Sequence, residues 1–363
     1  MKILFISHSY PPLVGGIENQ NYNLAEGLSK IAQIKVIANK HGKWWLPFFI
    51  TLTFLRAFFL MANYDVCLFG SGVLTPIGAI LKFFHPKKKF FSVIHGLDVT
   101  FANKSGFLSK IYKAINIPSI KEMDKLFMVG NFTIKESVKA GILKEKCVFI
   151  PNGVPIEKLK KEYSRDELSK IWGSETKDKK IILTSGRLEK RKGVAWFCEN
   201  VIPKLSKNIF YIIAGDGADK KNIQRAIEKT GLINRVKLLG YVTDEVRNTL
   251  FNTCDLFVQP NIKIPGDMEG FGISVIEAAA CGLPVIASRL EGLQDAIKDG
   301  KNGFLVESEN TEQWVKKIEA IFEAGSEFSE SFGKLAEEFV RNNFTWQKIA
   351  TKYLEEMKKV INK

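Results

Sequence analysis

The sequence predicts an α/β protein of two domains, each with a parallel sheet covered by helices. The chain has 363 residues, and a chain of this length favours two domains over one. Hydrophobic residues make up 45% and charged residues 25%, the composition of a soluble globular protein that buries real cores. Short β-type runs alternate with helical stretches in both halves, and this alternation is typical of parallel sheets.

The first half opens with a strand, a glycine-rich loop and a helix. Lys2–Ser7 is a short apolar run that predicts the first strand. The loop over residues 8–18 contains two prolines and the pair Gly15-Gly16, and an amphipathic helix then runs to about Lys30. This order opens a Rossmann-like unit, although the dinucleotide fingerprint G-x-G-x-x-G is absent. Further strands are predicted at 34–39, 65–70, 90–94, 126–129 and 148–150.

An unusual apolar segment covers residues 44–61 and is hydrophobic on nearly every side. It falls slightly short of the ~20 apolar residues that a spanning helix needs, and Arg56 lies near its middle. We therefore do not expect a membrane span. Two interpretations stay open: a buried connecting helix, or an interfacial helix with Lys40, Lys43, Trp44 and Trp45 at the headgroup level.

The second half repeats the α/β alternation after a charged connector over residues 155–178, which is expected to hold one short helix. Strands are predicted at 181–185, 210–214, 236–239, 254–259, 284–287 and 304–306. The end of the chain, residues 344–359, predicts an amphipathic helix.

The positive charge is concentrated in the first half. The net charge is +14, and residues 1–160 hold 21 basic and 9 acidic residues, which leaves only +2 for the remainder. A one-sided basic surface suggests an anionic partner: a membrane, a nucleic acid or an anionic glycan. No nucleic-acid-binding motif is recognisable, so a membrane is favoured.

The cysteines and the N-terminus indicate a cytoplasmic protein. Five cysteines are scattered, odd in number and without a C-x-x-C pair, which indicates neither a zinc site nor a disulfide framework. A reducing compartment fits this pattern. The N-terminal apolar run is too short for a signal peptide.

The most informative motif lies at residues 267–278, where Glu269 and Glu277 bracket seven residues. Gly270 and Gly272 allow close approach of the backbone to a ligand. Ser274 is predicted to cap a helix, with Glu277 completing a capping box. A glycine-flanked helix start is an anion site, and the two carboxylates suit hydroxyl groups of a ribose and a sugar beside a phosphate. The alternative is an ordinary capped surface helix.

Two other motifs carry chemistry. In Gly186-Arg187-Leu188-Glu189-Lys190-Arg191-Lys192-Gly193, Arg187 and Lys192 lie on a loop between a strand and a helix, where both can face one diphosphate. The alternative is a solvated basic loop. His95-Gly96-Leu97-Asp98 follows a predicted strand at the edge where open α/β sheets bind ligands.

Together these motifs carry a resemblance. The run Glu-Gly-Phe-Gly-Ile-Ser-Val-Ile-Glu at 269–277 resembles the signature of retaining GT-B glycosyltransferases, specifically glycosyltransferase family 4. The Arg187…Lys192-Gly193 pair, the His95-Gly-x-Asp motif and the Gly15-Gly16 loop are similar to family elements in the family's order. So are Pro151-Asn152-Gly153-Val154 and Gly215-Asp216-Gly217. The resemblance covers nearly the whole chain and is densest over 186–303.

The resemblance implies a GT-B fold: two Rossmann-like domains facing across a central cleft. It implies an acceptor-binding domain at 1–157, a nucleotide-sugar-binding domain at 158–340, and a final helix at 341–363 that crosses back to the first domain. The implied reaction is retaining transfer of a hexose from a UDP-hexose or GDP-mannose to a glycan or lipid-linked acceptor. Cell-surface polysaccharide or glycolipid assembly is the expected context.

The resemblance also assigns residues. The implied catalytic residues are His95, Arg187, Lys192 and Glu269. The implied donor-binding residues are Gly15, Gly16, Asn152, Gly215, Leu239, Tyr241, Phe271, Gly272, Ile273, Ser274 and Glu277. No cofactor and no metal are expected, because the chain has no D-x-D motif and no acid cluster with plausible spacing for magnesium.

The expected location is the cytoplasmic face of a membrane, with peripheral attachment through the basic first half, and no nucleic acid as partner. Two alternatives remain open. One is a non-catalytic GT-B membrane scaffold or sugar-nucleotide sensor, and the other is a GT-B sugar-nucleotide epimerase. The presence of Arg187, Lys192, Glu269 and Glu277 together favours the transferase.

Overall fold

The protein is described by a computed structural model that covers residues 1–13, 15–101, 106–159 and 162–362, without the side chain of Lys43. Val14 of the glycine-rich loop and Lys160 and Lys161 of the connector therefore lie outside the described residues. The chain divides into two compact units. Unit 1 comprises Met1–Gly153, Gly266–Phe271 and Phe344–Lys363, and unit 2 comprises Val154–Pro265 and Gly272–Asn343.

Unit 1 alternates strands and helices along the chain. Its elements are β1 (Lys2–Ser7), α1 (Gly16–Ser29), β2 (Gln33–Ala38), α2 (Leu46–Leu60), β3 (Val66–Phe69), α3 (Thr75–Phe84), β4 (Lys89–Ile94), α4 (Gly96–Thr100), α5 (Phe107–Glu122), β5 (Lys125–Met128), α6 (Asn131–Lys139) and β6 (Cys147–Phe149). One further helix, at the end of the chain, also belongs to unit 1.

The sheet of unit 1 has six parallel strands in the order β2-β1-β3-β4-β5-β6. The inner strands read as nearly continuous apolar runs because helices cover both faces. The final helix packs against α1 and shares a core with Phe127, where the ring of Tyr353 lies 4.8 Å from it.

Helix α2 is neither wholly buried nor wholly exposed. Phe49, Thr53 and Ala57 face the core of unit 1, so the buried interpretation holds for one face only. Phe48, Leu52, Leu55 and Phe59 are 51–74% exposed. Their spacing places them on one side of the helix.

Leu46–Asn63 is long and apolar enough to cross a membrane, with a mean hydropathy of 1.6 over 18 residues. This is weak evidence for a span, since a core helix passes the same test. Because one face of α2 packs against the sheet, crossing a bilayer would require removing that face from the core of unit 1.

Unit 2 also alternates strands and helices, and it begins with the connector between the two units. Its elements are α7 (Ile156–Leu159), α8 (Arg165–Trp172), β7 (Lys180–Ser185), α9 (Val194–Asn200), β8 (Ile209–Ala214), α10 (Lys220–Lys229), β9 (Val236–Gly240), α11 (Asp244–Thr253), β10 (Leu256–Gln259), α12 (Ile273–Ala280), β11 (Val285–Ser288), α13 (Leu293–Ala296), β12 (Phe304–Val306), α14 (Thr311–Glu323) and α15 (Gly325–Asn343). The last helix of the chain is α16 (Trp346–Ile361). The described part of the connector thus holds two short helices where one was expected. Ser164 and Glu167 form a capping box that starts α8.

The sheet of unit 2 also has six parallel strands, in the order β12-β11-β10-β7-β8-β9. The predicted two-domain α/β fold with two parallel sheets is confirmed. In this sheet the strand order reverses between β7 and β10, since β8 and β9 lie on one side of β7 and β10–β12 on the other. Such a reversal opens a crevice at the carboxyl ends of the two strands, where α/β proteins bind ligands.

Candidate active site

The basic loop of unit 2 leaves the carboxyl end of β7 and is held by close backbone packing. Gly193 has φ +65° and begins α9, and a Cβ there would lie 1.9 Å from the Pro260 carbonyl oxygen. The Ile262 N–H donates to the Arg191 carbonyl oxygen at 2.9 Å. Since Pro260 and Ile262 follow β10, the loops after β7 and β10 lie side by side at the reversal of strand order.

Arg187 and Lys192 occupy this loop in different environments. Arg187 is exposed, and its guanidinium forms no hydrogen bond or ion pair with any described residue. Lys192 is half-buried within a 3-10 turn over Lys190–Lys192 that ends at Gly193. A loop that places two cations at the carboxyl edge of a parallel sheet is chemically suited to a phosphate or diphosphate.

Helix α12 starts at Ile273, and its first turn corrects one sequence prediction. The N-cap is Gly272 with φ +89°, and no side chain caps the helix. The predicted Ser274–Glu277 capping box is therefore wrong. Ser274 is already inside the helix, and its hydroxyl donates to Oε1 of Gln259 at 2.7 Å. The first-turn amides are left without a side-chain acceptor, which is the condition for an anion site at a helix start.

Glu277 is the fifth residue of α12, one turn inside the helix. Burial raises the pKa of this carboxyl, Arg247 opposes the shift, and Asp244 adds to it. Arg247 forms an ion pair with Asp244, with 3.0 Å between Nη1 and Oδ1. The sequence analysis missed Arg247, because it lies on α11 outside every motif and only the fold brings it near Glu277.

The remaining donor-binding candidates of unit 2 lie at the ends of β8 and β9. Gly215 follows β8, and its N–H donates to the Gly240 carbonyl oxygen at 2.8 Å. Leu239 is half-buried within β9, and Tyr241, which directly follows β9, is 69% exposed. Because β8 and β9 are parallel neighbours, these residues share the carboxyl edge of the sheet with the basic loop.

In unit 1, His95 lies directly after β4 and is 8% exposed. Its Nε2 is 3.0 Å from the Gly70 carbonyl oxygen. A carbonyl only accepts, so Nε2 carries the proton in this contact. The Asp98 carboxylate accepts the backbone N–H groups of His95 at 2.9 Å and of Gly72 at 3.0 Å. Asp98 therefore holds together the loops that follow β3 and β4.

Beside His95 lies a second histidine that the sequence analysis did not assign. His8 follows β1, and its Nδ1 is 2.7 Å from Oγ of Ser71, which follows β3. Burial lowers the pKa of His8 and His95 adds to the shift, while Asp98 and Glu18 oppose it. Strands β1 and β3 are the point where the strand order reverses in this sheet, which is the signal that could have singled out His8.

The segment Gly266–Phe271 belongs to unit 1, although the sequence analysis placed it with the second domain by position. A Cβ on Gly96 would lie 3.1 Å from Cε of Met268, and one on Gly270 would lie 3.6 Å from Cγ2 of Val129. The Phe271 ring lies 5.9 Å from that of Phe344. Glu269, 8% exposed, is thus part of a segment that passes over the start of α4, next to His95.

The other site residues that the sequence analysis assigned to unit 1 are two glycines and one asparagine. Gly15 precedes α1 with extended backbone, and Gly16 is its first residue, with open space where a Cβ would stand. Asn152, three residues after β6, is buried, and its Oδ1 has no hydrogen-bond partner among the described residues. Among the described residues of the whole chain, no group of three or more His, Cys, Asp or Glu side chains could hold a metal ion.

Comparison with known proteins identifies the second unit. Residues 164–339 match the family model described as glycosyl transferases group 1. This segment, which is nearly half of the chain, belongs to the glycosyltransferase group 1 family. An uncharacterized glycosyltransferase of Methanocaldococcus jannaschii is 26% identical over 100% of this chain and 99% of the relative. The N,N'-diacetylbacillosaminyl-diphospho-undecaprenol alpha-1,3-N-acetylgalactosaminyltransferase of Campylobacter jejuni is 26% identical over 64% of this chain and 61% of the relative.

Among solved structures, the chain is similar to Anabaena HepE in complex with UDP-glucose, with a TM-score of 0.79. The match covers 99% of this chain and 100% of the other at 20% identity, so it bears on the fold, which is the GT-B type. The segment matched to the group 1 family contains Arg187, Lys192 and Glu277, whereas His95 lies outside it.

Proposed function

We propose that the whole protein is a group 1 glycosyltransferase that moves a hexose from a nucleotide sugar to a glycan or lipid-linked acceptor, with retention of configuration and without a metal. The observation that carries the proposal is the pairing of two loops in unit 2. The basic loop after β7 packs against the chain after β10, and both lie where the strand order reverses. In the proposal, Arg187 and Lys192 bind the diphosphate together with the uncapped start of α12, whose Ser274 donates to Gln259 at the end of β10.

Each donor group has residues of matching chemistry. Arg187, Lys192 and the amides of Gly272, Ile273 and Ser274 balance the diphosphate charge in place of a metal. Glu277 accepts hydrogen bonds from the ribose hydroxyls. The nucleobase lies along Gly215, Leu239 and Tyr241.

Unit 1 and its 266–271 segment supply the sugar contacts. Glu269 accepts hydrogen bonds from the sugar hydroxyls. The His95 ring, fixed by the Gly70 carbonyl oxygen and the Asp98 backbone N–H, contacts the sugar and positions it. Phe271, Asn152, Gly15 and Gly16 line the donor. In the transfer, the bond between the sugar C1 and the leaving phosphate oxygen breaks while the acceptor oxygen attacks C1 from the same face. The acceptor proton passes to that phosphate oxygen, so no protein nucleophile is required.

The names of relatives support the substrate classes. HepE was solved with UDP-glucose, and the Campylobacter relative is named for a diphospho-undecaprenol acceptor. A UDP-hexose donor is thus the first choice, with GDP-mannose as the second, and a lipid-linked acceptor fits the surface of unit 1. Cell-surface polysaccharide or glycolipid assembly would use such a reaction.

The surface of unit 1 supports peripheral attachment to the cytoplasmic face of an anionic membrane. Beside the exposed row of α2, the partly buried Phe58 contacts Phe84 at the end of α3, and their ring centroids are 5.3 Å apart. Phe83 on α3 is 80% exposed and Trp44 is 97% exposed. The basic turn over residues 86–89 follows α3 directly. An aromatic surface bordered by lysines matches the interface of an anionic bilayer.

The two alternative functions, a non-catalytic scaffold or sensor and a sugar-nucleotide epimerase, predict different ligands. A scaffold needs no donor site, and an epimerase needs no acceptor and no membrane surface. The deciding experiment is thermal-shift binding of UDP, GDP and ADP, then their sugar conjugates, each with and without EDTA. Stabilisation by one nucleotide that survives EDTA supports the proposal and names the donor class. If no nucleotide shifts the melting of a folded sample, the scaffold replaces it.

A further inference from the structure

Unit 1 contains a cavity of about 550 Å³ that the proposed donor site does not use. It lies between the edge strand β2 and helix α2, and a volume of this size is typical of small-molecule sites. Tyr10, from the loop after β1, also lines it. Asn39 and Lys40 directly follow β2, so the cavity reaches the same carboxyl edge of the sheet as His8 and His95.

The charge lining this cavity has one sign. Lys35, Lys40 and Arg56 all line it, and none of the described residues that line it is an aspartate or glutamate. None of the three cations forms a side-chain hydrogen bond or ion pair with any residue in the described part of the chain. All three residues are exposed, so water screens their mutual repulsion, but an anion placed among them is attracted by each. Arg56 adds a planar fork that matches two phosphate oxygens.

The wall that α2 and the preceding turn form is largely apolar, apart from Thr53 and Arg56. Trp45, Phe49 and Leu52 line it from α2 and the turn before it. Leu52 is 51% exposed and continues into the row formed by Phe48, Leu55 and Phe59 on the outer side of the helix. A ligand whose anionic group occupies the cavity could therefore lay a hydrocarbon chain along α2 without crossing a polar surface.

We propose that this cavity binds the phosphate or pyrophosphate group of an amphiphilic acceptor, with its hydrocarbon chain on the exposed row of α2. The inference rests on the proposed glycosyl transfer, because it names the acceptor class of that reaction. It also explains the position of Arg56 in an otherwise apolar helix: the guanidinium faces the acceptor phosphate.

The test uses the full-length protein and dodecyl phosphate below its micelle concentration, measured by calorimetry. Dodecyltrimethylammonium has the same chain with the opposite charge, and inorganic phosphate has the charge without the chain. We expect dodecyl phosphate to bind at least tenfold more tightly than either. The double substitution Lys40→Ala/Arg56→Ala should weaken it at least tenfold. The matched double variant Lys135→Ala/Lys144→Ala, which removes two exposed lysines of unit 1 outside the cavity, should bind like the unsubstituted protein.

Equal loss in both double variants, or no loss in either, overturns the inference. A second arm uses phosphatidylcholine vesicles with 30% phosphatidylglycerol. If Lys40→Ala/Arg56→Ala lowers vesicle binding while dodecyl phosphate never binds, the cavity takes a bilayer headgroup and the acceptor assignment is wrong. UDP, GDP and ADP binding is measured on the same samples. If none of the three nucleotides binds, the proposed function is refuted. If a nucleotide binds but dodecyl phosphate does not, only this inference is refuted.

Discussion

His8 and Ser71 are joined by a contact of 2.7 Å between the imidazole Nδ1 and the hydroxyl Oγ. The two residues follow β1 and β3, so their contact closes the gap where the strand order of unit 1 reverses. The surrounding charges are Asp98 and Glu18, which favour the protonated imidazole, and His95, which disfavours it. Burial outweighs them and lowers the pKa of His8.

This lowered pKa predicts a pH-dependent part of the stability. The unfolded chain protonates His8 near its ordinary pKa of about 6.5, whereas the folded chain resists protonation until lower pH. The contribution of His8 to the free energy of unfolding should therefore fall as pH drops below about 6.5, and it should be constant above that pH. Urea unfolding at pH 5 and pH 7.5 measures how much the free energy of unfolding changes with pH, and His8→Gln should make this change smaller. His41→Gln, at an exposed histidine, is the control, and equal slopes in all three proteins would contradict the assignment.

Gly193 should be far less tolerant of substitution than another glycine with the same backbone. Gly193 and Gly231 have φ of +65° and +67°, but a Cβ would meet the Pro260 carbonyl oxygen at 1.9 Å only at Gly193. Gly231→Ala should cost about 1–2 kcal/mol for the left-handed backbone alone. Gly193→Ala should cost about 1–3 kcal/mol more, because the loop must move. Urea unfolding measures both, and similar costs would mean that the two loops are not tightly packed.

Lys192→Ala should lower turnover by about 10²-fold or more, because a preorganised charge on the leaving diphosphate is lost. Lys190→Ala is the matched control: it removes an exposed lysine from the same 3-10 turn and should change turnover by less than about twofold. Circular dichroism establishes that both variants fold. Activity of Lys192→Ala within a few-fold of the unsubstituted enzyme would remove Lys192 from the catalytic residues.

The sequence predicted most of the fold because its strands are short apolar runs between glycine-rich turns. The predicted boundaries of β1 and β7 agree with the structure to within a residue. The outcome for α2 was harder to predict. Its composition is apolar on all sides, so periodicity could not tell which face packs on the sheet and which remains exposed.

The site was predictable where a motif is local and was missed where the fold brings distant residues together. Arg187, Lys192 and Gly193 lie within one loop, and the sequence indicates their shared position directly. Arg247 reaches Glu277 from a neighbouring helix, and Ser274 takes Gln259 as its partner instead of capping α12. The structure excludes the capping box because the N-cap of α12 is Gly272, with φ +89°. Backbone angles cannot be read from the sequence, so the sequence could not exclude it.

The exposed apolar surface should be measurable as membrane binding. Phe59→Ser/Phe83→Ser removes two side chains that are 74% and 80% exposed, so the fold should tolerate it. Binding to vesicles with 30% phosphatidylglycerol should fall at least about tenfold, since burying one phenylalanine contributes roughly 1.5–3 kcal/mol. Ile233→Ser, at a 68% exposed residue of unit 2, is the control. Flotation that never shows binding at low salt, even for the unsubstituted protein, would refute peripheral attachment.

Glu277→Gln should weaken nucleotide binding and stabilise the free protein. Burial raises the pKa of Glu277, so the folded protein holds the proton more tightly than the unfolded chain. The charged carboxyl is therefore destabilising above its folded pKa, and this penalty is relieved as pH falls. Glutamine removes the penalty, and the melting temperature at pH 7 should rise. The lost charge-assisted hydrogen bonds to the ribose should raise the dissociation constant about tenfold.

The pH dependence of binding separates the ribose role from a structural one. As pH falls, protonation of Glu277 removes the negative charge that strengthens its hydrogen bonds to the ribose, so nucleotide affinity of the unsubstituted protein should fall. Glu277→Gln lacks this titration, and its affinity should change less over the same range, as calorimetry with the stabilising nucleotide can measure. Glu312→Gln, at an exposed glutamate on α14, should behave like the unsubstituted protein. A dissociation constant for Glu277→Gln equal to that of the unsubstituted protein at pH 7 would place the ribose elsewhere.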